Sequence, residues 1–364
     1  MVTLLLCSLS IIIFASSALP LWRTGNWAIR WLDFPRLHFF IMGIVVFAIF
    51  VSFGVHHWWE WLSLALLGIG LALDAYRIYP YQIFATTESL ELTDSQQENA
   101  IPFSVISANI RQKNDKFSKL LEVVEDQNPD VLLLIEVNGE WEKKLKTLKK
   151  NYKHQLKEIR DNTYGMLLFS KFPLVAATKK FLVDDDVVSF FARVDVGGGN
   201  LVQLVCLHPR PPRPKEGPSD QRDSELMIAS QRIENSNHPV LVMGDLNDVA
   251  WSHSTRLFLR TSGTLDPRKG RGLYNTFPSP LSCLGFPLDH FFHTPELFIS
   301  NFMKLSSIGS DHVPLFAKFF LKPGLSRTQS SQNKPIDGDF KERRELEAKA
   351  GEWDGPNEYV NGED

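Results

Sequence analysis

Four apolar runs of this 364-residue chain each end on a residue able to hold a metal or a phosphate. Val105-Ile106-Ser107-Ala108 leads into Asn109, and Val131-Leu132-Leu133-Leu134-Ile135 leads into Glu136. Leu204-Val205-Cys206-Leu207 precedes His208, and Val240-Leu241-Val242-Met243-Gly244 precedes Asp245-Leu246-Asn247. Asp289 and the run Gly309-Ser310-Asp311-His312 follow. Amide, carboxylate and imidazole groups gathered in one cleft suit divalent-metal phosphate chemistry. Mg²⁺, or Mn²⁺ in its place, takes hard oxygen ligands and keeps water. Glu136 is the first candidate ligand. A carboxylate orients or deprotonates a water, a task for Asp245, with Asn247 steadying it and donating to a phosphate oxygen. His208 and His312 are placed to donate to the oxygens on which charge builds.

Such a cleft also needs groups that bind the substrate's charge. Two loops offer them: the proline-stiffened His208-Pro209-Arg210-Pro211-Pro212-Arg213, and Arg268-Lys269-Gly270-Arg271. Arg210, Arg213, Arg268 and Arg271 are the candidate substrate contacts. The net charge of −3 supplies no global attraction for nucleic acid, so anion binding rests on such local clusters. Cys7, Cys206 and Cys283 form neither a metal spacing nor a disulfide framework.

The elements that must position these groups can be read from periodicity. Short apolar runs bounded by turn signals read as buried strands, so their last residues converge at one end of a sheet. Strands are also expected at 165–171, 187–196, 201–207 and 313–321, with Gly197-Gly198-Gly199-Asn200 as a hairpin turn. Helical spacing marks 115–126, 140–150 and 219–235. Strand-rich halves with a few helices each imply two packed sheets with flanking helices.

Residues 1–78 are of another kind. Val2 to Trp22, Phe39 to Val55 and Trp58 to Tyr76 are apolar runs, against the roughly 17–25 residues a membrane span needs. Trp22, Trp27, Trp31, Trp58, Trp59, Trp61, Tyr76, Tyr79 and Tyr81 cluster at their edges, as interfacial aromatics do. About three transmembrane helices are therefore expected, with a cleavable signal peptide disfavoured by the lack of a basic start. Arg23, Arg30 and Arg36 in the first loop place the domain that follows in the cytoplasm. The expected order is a transmembrane region at 1–78, a polar linker at 79–100, an α/β catalytic domain at 101–322 and a disordered polar tail at 323–364.

The ordered set Ser107-Ala108-Asn109-Ile110, Ile135-Glu136, His208-Pro209, Gly244-Asp245-Leu246-Asn247, Leu288-Asp289-His290 and Gly309-Ser310-Asp311-His312-Val313-Pro314 resembles the endonuclease/exonuclease/phosphatase, or DNase-I-like, superfamily. The resemblance is to its membrane-anchored, bacterial-type members and spans essentially all of 101–322. It implies a four-layer α/β sandwich of two mixed sheets with the site at one end. It further implies Asn109 and Asp311 as metal neighbours of Glu136, and Asp289 as the partner of His312. The implied activity is Mg²⁺-dependent hydrolysis of a phosphodiester, in nucleic acid or a phospholipid head group, by a protein of the bacterial inner membrane. A phosphomonoesterase acting on inositol phosphates and a non-catalytic tethered binding protein are the alternatives. No protein partner is inferable, the lipid bilayer apart.

Overall fold

The structure is a computed structural model and describes residues 1–212, 219–279, 281, 284–329, 333–350 and 359–360. It opens with α1 (Val2–Ala18), the short α2 (Trp27–Trp31), α3 (Arg36–Phe53) and α4 (Trp58–Ile78). Three helical stretches, Val2–Leu21, Arg36–Phe53 and Trp58–Tyr81, are long and apolar enough to cross a membrane. α1, α3 and α4 pack on one another through Leu6, Ile13, Val46, Phe50 and Leu67, while Leu4, Ile12, Phe53 and Leu62 face outward. One end of the bundle is tied by polar bonds. The Ser17 hydroxyl donates to Asp74 (2.7 Å), and the Arg36 guanidinium donates to Asp74 (2.7 Å) and Asp33 (2.8 Å). All four groups are buried, and the charge of Arg36 has its counter-charges in Asp33 and Asp74.

The catalytic half follows as α5 (Asp94–Gln97), β1 (Ile101–Asn109), α6 (Phe117–Gln127), β2 (Val131–Ile135), α7 (Gly139–Lys144), β3 (His154–Glu158), β4 (Met166–Ser170) and β5 (Leu174–Lys180). Next come β6 (Ser189–Asp195), β7 (Leu201–Leu207), α8 (Asp220–Glu234), β8 (Val240–Asp245), α9 (His253–Ser262), β9 (Asp289–His293), β10 (Leu297–Lys304) and β11 (Leu315–Leu321). α10 (Asp339–Lys349) and β12 (Tyr359–Val360) close the chain. One sheet has the order β10-β11-β1-β2-β4-β3 and the other β12-β5-β6-β7-β8-β9. Both are mixed, as expected: β1/β2 and β7/β8 run parallel among antiparallel neighbours. Phe103, Leu133, Phe190, Leu204 and Phe319 fill the space between the sheets. Leu120, Val124 and Trp141 cover the outer face of one, and Leu226, Leu257 and Phe258 that of the other. Burial of side chains of this size stabilises by roughly 1.5–3 kcal/mol each, and four layers follow from it.

The helix expected at 140–150 is split, α7 continuing as a 3₁₀ helix over Leu145–Lys150. Two segments depart further from expectation. The polar stretch after α4 is docked rather than a free linker: the Tyr81 hydroxyl donates to the Ala250 carbonyl (2.7 Å), and Glu88 accepts from Asp266 N–H (2.8 Å) and pairs with Lys269 (3.1 Å). The tail, expected to be disordered or at best a transient helix around Lys341 to Lys349, carries α10, laid on α8 and α9 by Asp339–Arg260 (2.7 Å) and Arg343–Glu234 (2.6 Å). Ion pairs hold both segments together with scattered apolar contacts, Tyr81 and Leu92 in the first and Leu346 in the second, too sparse to make a periodic pattern. Cys7 and Cys206 are buried and unbridged, consistent with packing roles, and Cys283 lies outside the described residues.

The bundle is also joined to the sandwich. Arg30 of α2 reaches Asp223 at the start of α8 (2.8 Å) and the Ser254 hydroxyl at the start of α9. The Trp251 indole N–H donates to the Asp33 carbonyl (2.6 Å), and Ser219 N–H to that of Gly25 (2.9 Å). α9 begins beyond the last residue of β8, and α8 connects the parallel β7 and β8. Both helix starts therefore lie at the end of the sheet where β7 and β8 finish.

Candidate active site

Register alone brings the polar residues into pairs. Parallel pairing sets Asn109 opposite Ile135, so Glu136 stands beside Asn109. Parallel pairing of Leu207 with Gly244 likewise sets His208 beside Asp245, and the antiparallel β8/β9 pair sets Asp245 opposite Asp289. Gly244 permits this approach. Its φ is +144°, and a Cβ there would lie 2.0 Å from the Leu207 carbonyl oxygen. Three non-glycine residues around the site also adopt positive φ: Arg111 (53°), Glu136 (67°) and Asn247 (50°). Such conformations cost on the order of 1–3 kcal/mol each and persist where surrounding bonds over-determine them. Here Gln112 N–H donates to Glu136 Oε2 (3.0 Å), Arg111 N–H to Asn109 Oδ1 (3.0 Å) and Asn247 Nδ2 to the Pro209 carbonyl (2.9 Å).

Asn109 closes the two sheets over the site. Its Nδ2 donates to Glu136 Oε1 (3.0 Å) and across the sandwich to Asp245 Oδ2 (3.1 Å). The other oxygen of Asp245 accepts from Asn247 N–H (2.9 Å). Nε2 of His312 stands 3.6 Å from Asp245 Oδ2, and Nε2 of His208 stands 3.9 Å from it. Both gaps exceed a hydrogen bond, leaving the imidazole edges aimed at a shared space. His312 Nδ1 is bonded to Asp289 Oδ2 at 2.7 Å, and Phe277 packs on the His312 ring at 5.0 Å between centroids. Asp245, Asp289 and His312 are buried, and each presents a donor atom within 4.8 Å of the others.

Burial would strip His312 of its proton, but the Asp289 and Asp245 carboxylates outweigh it and hold the imidazolium up to about 10. Burial pushes Asp245 the other way, above the usual carboxylate range, with Asp289 adding to the rise and His312 and His208 opposing it. One member is thus poised as a cationic donor and the other as a carboxylate able to take a proton, a separation characteristic of acid–base sites.

The structure brings together Asn109, Glu136, His208, Asp245, Asn247, Asp289 and His312. Asp311 sits at the rim, its carboxylate 3.6 Å from Arg111 Nε. Asn109 is corrected in role: it turns its nitrogen, not its oxygen, to the carboxylates, because Oδ1 is taken by Arg111 N–H. Arg268 is corrected as a substrate contact. It is buried, paired with Asp266 (2.8 Å) and bonded to His290 Nδ1 (2.5 Å), because an arginine two residues past an aspartate in a turn folds back onto it. His290, left without a role from sequence, is a packing residue held neutral by burial and by Arg268. Arg271 pairs with Glu91 (3.2 Å) and donates to the Pro267 carbonyl. Arg210 pairs with Asp184 (2.8 Å) and lies over the Tyr164 ring, which packs on His208. Arg213 lies outside the described residues.

Several supports escaped the sequence reading. Ser310 donates to the Asn109 carbonyl (2.8 Å) and accepts from His312 N–H (3.0 Å), a role its place in the Ser-Asp-His run signals. Arg222 donates to the Asn247 carbonyl (3.0 Å) and pairs with Asp223 (3.0 Å) and Asp248 (3.4 Å), holding the turn after β8 from beneath. Nothing local marks that arginine, which lies 25 residues before the carbonyl it binds.

The model of the Endonuclease/Exonuclease/phosphatase family matches residues 106–312. No curated protein matches the sequence. Among solved structures, the chain is similar to the endonuclease/exonuclease/phosphatase family protein of Bacteroides thetaiotaomicron. The TM-score is 0.54 at 16% identity, over 62% of this chain and 99% of that one. The corresponding protein of Bacteroides vulgatus gives 0.51 at 17%, over 61% and 99%. D. rerio TDP2 humanized by 14 mutations gives 0.50 at 16%, over 60% and 98%. At these identities the likeness shows the fold alone.

Proposed function

The chain belongs to the endonuclease/exonuclease/phosphatase family, and on that premise we propose that it is a membrane-anchored, divalent-metal-dependent hydrolase of phosphodiesters. The observation that carries this reading is the meeting of Glu136, Asn109, Asp245 and the two imidazoles across the mouth of the sandwich. The three apolar helices support the anchor, and the arginines of the first loop support a cytoplasmic catalytic domain.

The donor set fits a hard cation. One amide nitrogen contacts both Glu136 and Asp245, so those carboxylates stand within about 6 Å of one another by the two hydrogen-bond lengths. Asp289 Oδ1 is buried with no hydrogen-bond partner. His312 is bound to Asp289 and kept cationic, so the carboxylate oxygens, Glu136 foremost and Asp311 at the rim, are the groups that would hold the metal. A bound Mg²⁺ or Mn²⁺ would supply charge neutralisation at the phosphate and its leaving oxygen. The remaining work belongs to the chain. Asp245, fixed through Oδ1 by Asn247 N–H, orients the attacking water and accepts its proton. His312 and His208 donate to the non-bridging oxygens as charge builds. Asp289 fixes the His312 tautomer and keeps it charged.

The full-length protein, given an activated aryl phosphodiester, is expected to turn over with Mg²⁺ and to stop with EDTA. Glu136→Gln is expected to raise the Mg²⁺ needed for half-maximal rate by at least roughly tenfold. Turnover indifferent to EDTA, or an unchanged metal requirement in Glu136→Gln, contradicts the metal assignment.

A further inference from the structure

We infer that the active-site mouth faces the bilayer surface and that the substrate is a phosphate ester carried by a lipid. This rests on the phosphodiesterase reading above and adds where its substrate comes from. Several contacts join the bundle to the sandwich beside the catalytic strand ends: Arg30 meets the starts of α8 and α9, and Asp33 meets Trp251, six residues past Asp245, while others reach α10 (Arg23–Glu342) and the turn at Gly270 (Pro80). The first loop of the bundle thus lies against the end of the sandwich that holds the site. Trp22, Trp31, Tyr76 and Phe84 are exposed around the span ends, the placing of an interfacial aromatic belt.

A loop connects that belt to the catalytic histidine. Phe286 packs edge-on to Phe34 (5.7 Å) and lies 5.8 Å from the ring of His38, in the first turn of α3. Phe286 pairs across an antiparallel bridge with Phe277, and Phe277 packs on His312 at 5.0 Å. Two ring contacts and one bridge thus separate the start of a span from His312, a path of roughly 25 Å at most. Between those two phenylalanines, Leu281 and Leu284 are each 59% exposed. Leu284 lies two residues before Phe286, within about 7 Å of it by chain length. Two exposed leucines beside an aromatic belt, on the loop that packs on the catalytic imidazole, have the bilayer as their apolar medium.

The test uses the full chain in vesicles of phosphatidylethanolamine and phosphatidylglycerol. Release of water-soluble head group is measured beside hydrolysis of bis(p-nitrophenyl) phosphate in the same sample. Burial of a leucine in an apolar medium is worth roughly tenfold or more in an equilibrium. Leu281→Asp/Leu284→Asp is accordingly expected to lose at least that factor on the lipid and less than about twofold on the soluble ester. Equal effects on both substrates, or none on either, overturn the inference, as does faster turnover of single-stranded DNA or RNA than of lipid. Insertion has its own readout: a polarity-sensitive dye on Leu284→Cys, in a Cys283→Ser background, is expected to be quenched by nitroxide-labelled lipid. If wild type hydrolyses neither ester, the catalytic reading fails and with it the lipid-substrate claim, while quenching still supports the bilayer-facing mouth. Absence of quenching overturns that mouth whatever the rates.

Discussion

Asp245→Asn lowers kcat by about 10²–10⁴ while leaving the protein folded, the factor by which a positioned general base typically contributes. The amide keeps the shape of the carboxylate and can still meet Asn247 N–H through its oxygen. What it loses is the ability to accept a proton, together with the Oδ2 acceptor that Asn109 Nδ2 binds. Asp245 is buried and its ionised form is disfavoured by burial and by Asp289 but favoured by His312 and His208, so the amide relieves one cost while losing the Asn109 bond and the attraction for His312, and the thermal midpoint is expected to move little. Activity then falls far more than stability. Kinetics on an aryl phosphodiester beside a melting curve read both quantities at once. A variant that retains more than a tenth of the wild-type kcat refutes the role, and one that fails to fold shows a structural aspartate instead.

His312→Ala is expected to cost about 10²–10³ in kcat, the range for removal of a single donor to developing negative charge. Asp289→Asn is the more informative partner. Burial works against the charged imidazole, and Asp289 is the foremost group that overcomes it, so its amide lets the His312 proton leave at lower pH. The alkaline limb of the kcat/KM profile is expected near pH 10 in wild type, where His312 would lose its proton, and should move toward neutrality in Asp289→Asn and vanish in His312→Ala. Stability carries the same sign. A histidine whose folded pKa is raised contributes fully below its unfolded value of about 6.5 and loses that contribution as pH climbs. In wild type the loss therefore runs from about 6.5 through about 10. The melting temperature of Asp289→Asn should fall less steeply over that window. Identical pH slopes in variant and wild type would falsify the Asp289–His312 coupling.

The residues whose positions were legible in the sequence are those set by strand register. A buried run such as Val131–Ile135 has one way to lie in a sheet. Once β1 and β2 pair in parallel, Asn109 and Glu136 must emerge together. The same holds for His208 and Asp245 on β7 and β8. Orientation of a terminal amide carries no such signature: Asn109 turns its nitrogen to Glu136 and Asp245 because Arg111 N–H, in a left-handed turn, claims its oxygen. Arg268 looked like a phosphate contact because its charge was visible and the fold-back onto Asp266 was not. A helix around Lys341 to Lys349 could be expected at best as transient, and the docking of α10 was hidden for a related reason, since Arg260–Asp339, Arg343–Glu234 and Arg23–Glu342 hold it rather than an apolar stripe. Arg30–Asp223 likewise joins residues 193 apart, and no local pattern announces a bond of that span.

That bond also ties the site to the bundle. Arg30 meets Asp223, Asp223 meets Arg222, and Arg222 holds the Asn247 carbonyl. The turn that fixes Asp245 is thus braced by a residue lying between the first two long apolar helices. Charge pairs buried to this degree lose stability strongly when one partner is removed. The apolar helical bundle and the α/β sandwich are parts of one folded unit.

Anomalous diffraction from crystals of the full chain grown with Mn²⁺ and inorganic phosphate bears most directly on whether these strand ends make one catalytic site. The expected result is a manganese peak bonded to the Glu136 carboxylate, with phosphate oxygens in hydrogen-bond reach of His208 and His312. A manganese peak remote from Glu136, or phosphate bound away from both imidazoles, contradicts it.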